Sequence, residues 1–429
     1  MKITVVGLGK IGLPLAVQFA AKGHHVTGAD VNAAQVDMVN RGVEPFPGEA
    51  QLGDKLAAAV AEGLLTATRD TASAVGTSDA VVVVVPLHVD ADGVPGFGWM
   101  ESATRDIARG LRPGTLICYE TTLPVGTTRT RWKPLLESES GLVEGRDFHV
   151  VFSPERVLTG RVFADLRKYP KLIGGLSAEG ARAARDFYEA VLDFDERPDL
   201  PRGNGVWDLG SAEAAEMAKL AETTYRDVNI GLANQFGAFA AAHGIDVFEV
   251  IEASNSQPYS HIHRPGIAVG GHCIPVYPRL YLWNDPSATV VRAAREANAG
   301  MPAYSVGLAK SAYGDLSGVR AVVLGASYRG GVKESAFSGV FPTVEALQAE
   351  GAEVSVHDPM YSDDELRRLG FTPHRLGTPV DVAIVQADHA EYRQLSAAEL
   401  PGVRVIVDGR RILDEAAFPS TTFLVVGRG

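Results

Sequence analysis

Short apolar runs alternate with longer helix-forming stretches through the first 205 residues. Five of these runs have the composition of strands: residues 3–6, 25–29, 80–85, 116–119 and 149–152. Residues 80–85 are apolar at every position, which is typical of a parallel strand covered on both faces. The alternation predicts a doubly wound α/β domain over residues 1–205.

The pattern changes after residue 209, where helix formers continue to about residue 242 with apolar side chains on more than one face. A helix of this kind is buried on several sides, either by the rest of its own chain or by a second copy. A second βα series follows, with strands expected at 321–324, 353–357, 382–385 and 403–407. We therefore predict three domains, spanning residues 1–205, 206–300 and 301–429.

Composition narrows the class of protein. The 429 residues are 46% hydrophobic and carry a net charge of -12, without a Lys/Arg-rich run, which argues against a nucleic-acid partner. Neither a signal peptide nor an apolar run of membrane-spanning length is expected. The two cysteines, Cys118 and Cys273, lie in unlike contexts, so we expect free thiols in the reducing cytoplasm.

A glycine-rich fingerprint, Gly7-Leu8-Gly9-Lys10-Ile11-Gly12, follows the first expected strand and opens a helix. Its glycines permit a tight turn, close approach of a pyrophosphate and packing of helix on strand. Asp30 ends the second strand, where a carboxylate accepts hydrogen bonds from ribose hydroxyls and repels a 2′-phosphate. These features predict NAD as the cofactor.

A second candidate site surrounds Cys273 in the glycine-rich segment 270–275. A thiolate there could act as a nucleophile, although a buried, inert cysteine would fit such a turn as well. Lys219 on the long helix could stabilise an oxyanion or be a surface lysine with its charge in water. Glu155 follows a strand and could exchange protons or be a helix N-terminal acid.

These motifs closely resemble the UDP-glucose/GDP-mannose dehydrogenase family, the NAD-dependent nucleotide-sugar 6-dehydrogenases. The resemblance is carried by residues 7–14, 120–128, 153–157, 219–226, 270–275 and 408–411. It implies an N-terminal NAD-binding Rossmann domain, a central long-helix domain that forms a homodimer, and a C-terminal Rossmann-like UDP-binding domain.

The resemblance also implies a mechanism of two successive hydride transfers. The sugar C6 alcohol is oxidised to an aldehyde, Cys273 captures it as a thiohemiacetal, and a second oxidation gives a thioester that water hydrolyses. Lys219 then stabilises oxyanions, while Glu155 and Thr122 handle water and protons.

Three sets of site residues follow, and a metal is not expected. The catalytic set is Cys273, Lys219, Glu155, Thr122 and Thr223. The cofactor set is Gly7, Gly9, Ile11, Gly12, Asp30, Pro86 and Thr122. The substrate set is Glu155, Arg156, Lys219, Arg264, Gly270, Tyr328, Arg329 and Arg410.

The chain departs from the family pattern at several of these positions. Tyr277 stands where the family usually has an aspartate, four residues after the nucleophile, and Thr223 stands where it has an asparagine. Tyr328 and Arg329 replace a Phe-Lys pair, and Ala336 replaces an arginine for which Lys333 would have to compensate. The loss of a carboxylate at position 277 bears most directly on hydrolysis of the thioester.

The segment Gly-Gly-His-Cys-Ile-Pro resembles the branch that acts on UDP-N-acetylglucosamine or UDP-N-acetylmannosamine. UDP-glucose is the alternative substrate. Two further hypotheses remain: an enzyme that stalls before hydrolysis because of Tyr277, and a catalytically silent nucleotide-sugar-binding protein.

Overall fold

The computed structural model describes residues 1–90 and 92–429. Their contacts divide the chain into two compact units, Met1–Ala221 and Glu222–Gly429. Within the described residues, no helix is both long enough and apolar enough to span a membrane.

The first unit is built on an eight-stranded sheet with a small hairpin. The sheet strands are β1 (Lys2–Val6), β2 (His25–Ala29), β3 (Leu65–Thr68), β4 (Ala80–Val83), β7 (Leu116–Tyr119), β8 (His149–Phe152), β9 (Lys171–Gly175) and β10 (Val206–Asp208), and the hairpin strands are β5 (His88–Val89) and β6 (Pro95–Gly96). The order across the sheet is β10-β9-β8-β7-β4-β1-β2-β3. All neighbours are parallel except β8 and β9, which pair antiparallel.

Helices cover both faces of this sheet. They are α1 (Gly12–Ala21), α2 (Ala33–Asn40), α3 (Leu52–Ala61), α4 (Thr71–Val75), α5 (Gly98–Gly110), α6 (Lys133–Ser140), α7 (Val162–Lys168) and α8 (Ala178–Val191), with a π-helical turn at Thr128–Trp132. Alternate residues of β4 enter different cores. Val82 packs in the core that contains α1 and α8 residues, whereas Val81 and Val83 pack with α5 residues. Burial on both faces is why the strand lacks polar positions.

The long helix predicted from the sequence is present as α9 (Ala212–Ala242), 31 residues that begin in the first unit and end in the second. The second unit adds α10 (Val247–Asn255), α11 (Tyr277–Asn284), α12 (Thr289–Tyr313), α13 (Val340–Ala349) and α14 (Asp363–Arg368), with 3-10 turns at Ala390–Gln394 and Glu415–Ala417.

A fully parallel five-stranded sheet forms the end of the second unit. Its strands are β11 (Arg320–Leu324), β12 (Glu353–His357), β13 (Val382–Val385), β14 (Val405–Asp408) and β15 (Thr422–Val425), in the order β12-β11-β13-β14-β15. The three-part α/β fold expected from the sequence is confirmed. The domain boundaries near residues 205 and 300 stay predictions, and the second of these positions lies inside α12.

Candidate functional site

The three glycines of the fingerprint meet different surroundings after β1. Gly7 has φ +92°, and a Cβ at Gly12 would lie 1.8 Å from the carbonyl oxygen of Gly7. A Cβ at Gly9 would meet nothing within 4 Å. Helix α1 begins at Gly12, and Ile11 before it provides no side-chain cap for the first turn. Open space beside uncapped N–H groups fits a pyrophosphate.

Asp30 is held against this loop. Its Oδ2 accepts the Leu8 N–H at 2.8 Å, and its Oδ1 accepts the Asn32 N–H at 2.9 Å. The half-buried carboxylate retains acceptor positions for ribose hydroxyls. Asp30 therefore has the geometry that an NAD adenosine requires.

Pro86 and Thr122 follow the carboxyl ends of β4 and β7, which are neighbouring parallel strands. Thr121 donates its hydroxyl to the Val85 carbonyl at 2.7 Å and ties these two loops together. Pro86 is exposed, whereas Thr122 is buried. Since β1 pairs with β4, both residues lie at the same sheet edge as Gly7.

Sequence reasoning did not identify a buried ionic cluster at this edge. Lys171 Nζ lies 2.8 Å from Glu120 Oε2 and 2.9 Å from Glu155 Oε2. Tyr188 donates its hydroxyl to Glu120 Oε1 at 2.6 Å. The Glu120 carboxylate was visible in the sequence motif, but nothing local indicated that Lys171 and Tyr188 would meet it.

Burial and the charge of Lys171 shift the pKa values of Glu120 and Glu155 in opposite directions. Burial raises the pKa of Glu120 to about 7, against the opposing charge of Lys171. Burial would also raise the pKa of Glu155, but the charge and hydrogen bond of Lys171, two backbone N–H groups and the charge of Lys219 keep it below its usual value. Of the two carboxyl groups, Glu120 and Glu155, it is therefore Glu155 that is the anion.

Lys219 is buried, so the surface-lysine alternative is wrong. One turn earlier on α9, the buried Glu216 accepts the N–H groups of Gly126 and Thr128, at 2.5 and 2.9 Å, and the Thr128 hydroxyl at 2.7 Å. This carboxylate attaches the conspicuous 120–128 segment to the helix that carries Lys219. Arg156 donates to the Pro170 carbonyl at 3.4 Å.

Cys273 is exposed in the second unit, which contradicts the buried-cysteine alternative. Cys118 is the buried thiol, and burial raises its pKa to about 12. Glycines precede Cys273 because Tyr328 packs against them: a Cβ at Gly270 would lie 2.6 Å from the Tyr328 Cβ. His272 Nε2 lies 3.4 Å from Glu334 Oε2.

A cavity of about 580 Å³ lies beside this loop in the second unit. Its lining includes five residues of the predicted substrate set: Arg264, Gly270, Tyr328, Arg329 and Arg410. The Arg410 guanidinium donates to the carbonyls of Gln386, at 2.6 Å, and Ala268, at 3.2 Å. Burial lowers the pKa of Arg410. Three arginines, an aromatic ring and close backbone fit a nucleoside diphosphate.

The departures from the family pattern have definite positions. Lys333 Nζ lies 2.6 Å from Glu365 Oε1, and Lys333 is not among the residues that line the described cavity. Tyr277 begins α11, and its N–H donates to the Cys273 carbonyl at 2.9 Å. Thr223 is buried at the start of the second unit.

The second sheet contains a counterpart of Asp30 that is not available to a ligand in the same way. Asp358 directly follows β12 and is buried, and its Oδ2 accepts the N–H groups of Ala326 and Ser327 and contacts His389 Nε2 at 3.0 Å. Of these two aspartates, therefore, only Asp30 offers a carboxylate to a dinucleotide ribose in this arrangement. Among residues 1–90 and 92–429, no group of three or more His, Cys, Asp or Glu is placed to hold a metal ion.

Comparison with known proteins agrees with this geometry. Residues 1–192 match the NAD binding domain of the UDP-glucose/GDP-mannose dehydrogenase family, residues 213–300 its central domain and residues 322–415 its UDP binding domain. A UDP-N-acetyl-D-mannosamine dehydrogenase of Pyrococcus horikoshii is 34% identical over 439 residues, covering 100% of both chains.

Two solved structures share the whole fold. A UDP-D-ManNAc dehydrogenase from Pyrococcus horikoshii has a TM-score of 0.88 at 33% identity and covers 100% of both chains. A UDP-glucose dehydrogenase from Pyrobaculum islandicum has a TM-score of 0.87 at 26% identity, covering 100% of this chain and 98% of its own.

Proposed function

Because the chain belongs to the UDP-glucose/GDP-mannose dehydrogenase family and is thus an NAD-dependent nucleotide-sugar dehydrogenase, we propose that it oxidises the C6 hydroxymethyl of a UDP-sugar to a carboxylate. The observation that carries the proposal is the exposed Cys273, three residues after Gly270 in the lining of the diphosphate-sized cavity. A nucleophile beside a nucleotide site suits an oxidation that passes through a covalent intermediate.

NAD bound at the fingerprint would supply the hydride acceptor, with one NAD molecule consumed in each of the two oxidations. Cys273 attacks the C6 carbonyl carbon, forms the C–S bond of a thiohemiacetal and retains the acyl group as a thioester after the second oxidation. Water then breaks the C–S bond and the thiolate leaves. We assign oxyanion stabilisation to Lys219 and orientation of water to Glu155, with Thr122 and Thr223 as hydroxyl donors.

For the substrate we propose a UDP-acetamido sugar, with UDP-N-acetylmannosamine first and UDP-N-acetylglucosamine second. The segment Gly-Gly-His-Cys-Ile-Pro supports this choice, as does the name of the 34% identical relative. UDP-glucose is the alternative, named for a structural neighbour at 26% identity. In each case Arg329 and Arg410 are proposed to face the diphosphate.

We also propose that the protein is a homodimer formed through α9. The second-unit part of this helix exposes four large side chains, Tyr225, Leu232, Phe236 and Phe239. Their spacings of seven, four and three residues place them along one stripe of the helix. The proposed thiol chemistry needs a reduced Cys273, which suits the cytoplasm.

The test is a panel of UDP-ManNAc, UDP-GlcNAc and UDP-glucose incubated with the purified protein and NAD. We expect two NADH per sugar and a product mass of the uronic acid, and Cys273→Ala should bind the UDP-sugar but yield no acid. The absence of NADH with all three sugars would overturn the proposal. That result together with tight UDP-sugar binding would instead favour the silent binding protein.

A further inference from the structure

We propose that Lys171 is a positioning residue of the reaction: its buried ammonium, bridging Glu120 and Glu155, holds Glu155 as one oriented carboxylate that aligns a single water. The inference rests on the proposed function for the role of that water. It concerns two residues, Lys171 and Glu120, that the sequence motifs did not assign.

Sheet topology explains how Lys171 reaches the site. Strand β9 runs antiparallel to β8, with Phe152 opposite Gly174. The first residue of β9, Lys171, therefore lies at the edge where β7 and β8 end and where Glu120 and Glu155 follow. A parallel β9 would have placed its first residue at the opposite edge of the sheet.

The contacts of Glu155 leave it little freedom. Its Oε1 accepts the N–H groups of Arg156 at 2.6 Å and Val157 at 3.2 Å, and its Oε2 accepts Lys171 Nζ at 2.9 Å. A carboxylate offers about four acceptor positions. Three are used by these contacts, and among the described contacts Oε2 has a further acceptor position that a water or hydroxyl could use.

Glu120 completes the arrangement on the other side of Lys171. Its Oε2 lies 2.8 Å from Lys171 Nζ, and its Oε1 accepts the Tyr188 hydroxyl at 2.6 Å. The Lys171 side chain is 4% exposed and that of Glu120 is 0% exposed, so the ammonium is fixed rather than solvated. An ammonium held on two sides fixes the carboxylate it faces, as a second hydrogen-bonded layer does in other sites.

The charged and titratable groups around the cluster include Glu120, Glu155, Lys171, Tyr188, Cys118, Lys219 and Arg156. The charges of Lys171 and Lys219 both lower the pKa of Glu155, and Lys171 Nζ is also hydrogen-bonded to Glu155 Oε2. Loss of the Lys171 charge would leave two buried carboxylates without their shared cation. The pKa of Glu155 should then rise, because burial would no longer be opposed by the charge of Lys171.

The experiment compares wild type with Lys171→Met, Lys171→Arg and the double variant Lys171→Met/Glu120→Gln, which removes the ammonium together with the carboxyl group of Glu120. For Lys171→Met we expect a loss in kcat on the order of 10²-fold with KM for the UDP-sugar unchanged, because alignment and not binding is lost. The acid limb of its pH profile should move to higher pH, and Lys171→Arg should restore it. The double variant should fold and stay slow.

Each possible result of this experiment either supports or overturns the positioning role of Lys171. An unchanged kcat and acid limb in Lys171→Met, or recovery of kcat in the double variant, would overturn the positioning role and leave Lys171 as a counter-ion of Glu120. A wild type that oxidises none of the sugars would instead overturn the proposed function. In that case infrared difference spectra against Glu155→Gln still test the charge state, because the carboxyl of Glu155 should become protonated at a higher pH in Lys171→Met than in wild type.

Discussion

At the scale of single residues, substitutions of two fingerprint glycines should have different effects on stability and on NAD binding. Gly12→Ala would place a methyl group 1.8 Å from the Gly7 carbonyl oxygen, so we expect a loss of unfolding free energy of about 3 kcal/mol or more. Gly9→Ala places its methyl group in open space, so the melting temperature should hold while NAD binding weakens about tenfold or more. Thermal melting and calorimetric titration with NAD distinguish the two effects.

Gly9→Ala is the control for Gly12→Ala because the two substitutions are chemically identical and three residues apart. Equal NAD affinity in Gly9→Ala and wild type would show that the pyrophosphate does not approach this loop.

A second prediction at this scale concerns Tyr277. A phenol is a poor base in place of the carboxylate usual in the family, so hydrolysis should be slow and an acyl group should accumulate on Cys273. Intact-protein mass spectrometry after mixing with NAD and UDP-ManNAc should detect this adduct. Tyr277→Asp should diminish the adduct and raise kcat, whereas Tyr277→Phe should retain it. A wild type that never carries the adduct would show that another group activates the water.

At the scale of elements, Glu216 links helix α9 to the 120–128 segment and makes stability depend on pH. Burial raises its pKa from the usual 4.5 to about 7. The folded state therefore keeps a proton that the unfolded state releases between these values. Its stabilising effect is full below about pH 4.5 and is lost as the pH rises through about 7.

Glu216→Gln removes this titration. Between pH 5 and pH 7.5, wild type should lose on the order of 1 kcal/mol or more of unfolding free energy that the variant does not lose. Urea unfolding at the two pH values measures the difference. The exposed Glu62→Gln is a suitable control, and an identical pH dependence in wild type and Glu216→Gln would contradict the expectation.

The helices and strands also show which elements the sequence pattern was sufficient to predict. Strands with continuous apolar composition, such as β4, and the long helix α9 were predicted close to their observed bounds. Strands β3, β9, β10 and β15 were missed because each is short and carries polar residues or glycine. Their strand geometry comes from hydrogen bonding to a neighbour, which local composition does not encode.

At the scale of the whole molecule, the exposed stripe of α9 predicts the oligomeric state. Phe236→Glu should convert a dimer to a monomer, because a buried carboxylate without a partner costs several kcal/mol at an interface. Light scattering coupled to size exclusion measures the mass. Gln235→Glu is the matched control, since Gln235 is the exposed residue next to Phe236. A monomeric wild type would contradict the proposed dimer.

Some features of the candidate site could be predicted from the sequence alone, and others depend on the tertiary fold. The fingerprint, Asp30 and the Cys273 loop are recognisable from the sequence because backbone conformation and chemistry there depend on adjacent residues. The grouping of Arg264, Tyr328, Arg329 and Arg410 around one cavity was expected only through family resemblance, since these residues are up to 146 positions apart.

The sequence alone therefore determined the class of fold, the dinucleotide fingerprint and the candidate nucleophile, because each depends on local periodicity or on residues within one loop. Only the tertiary structure decided that Lys219 is buried, that Cys273 is exposed and that Lys171 joins Glu120 to Glu155. The last of these depends on the reversed direction of β9. Strand direction is set by pairing across the sheet, and it brings together charges separated by as many as 51 residues.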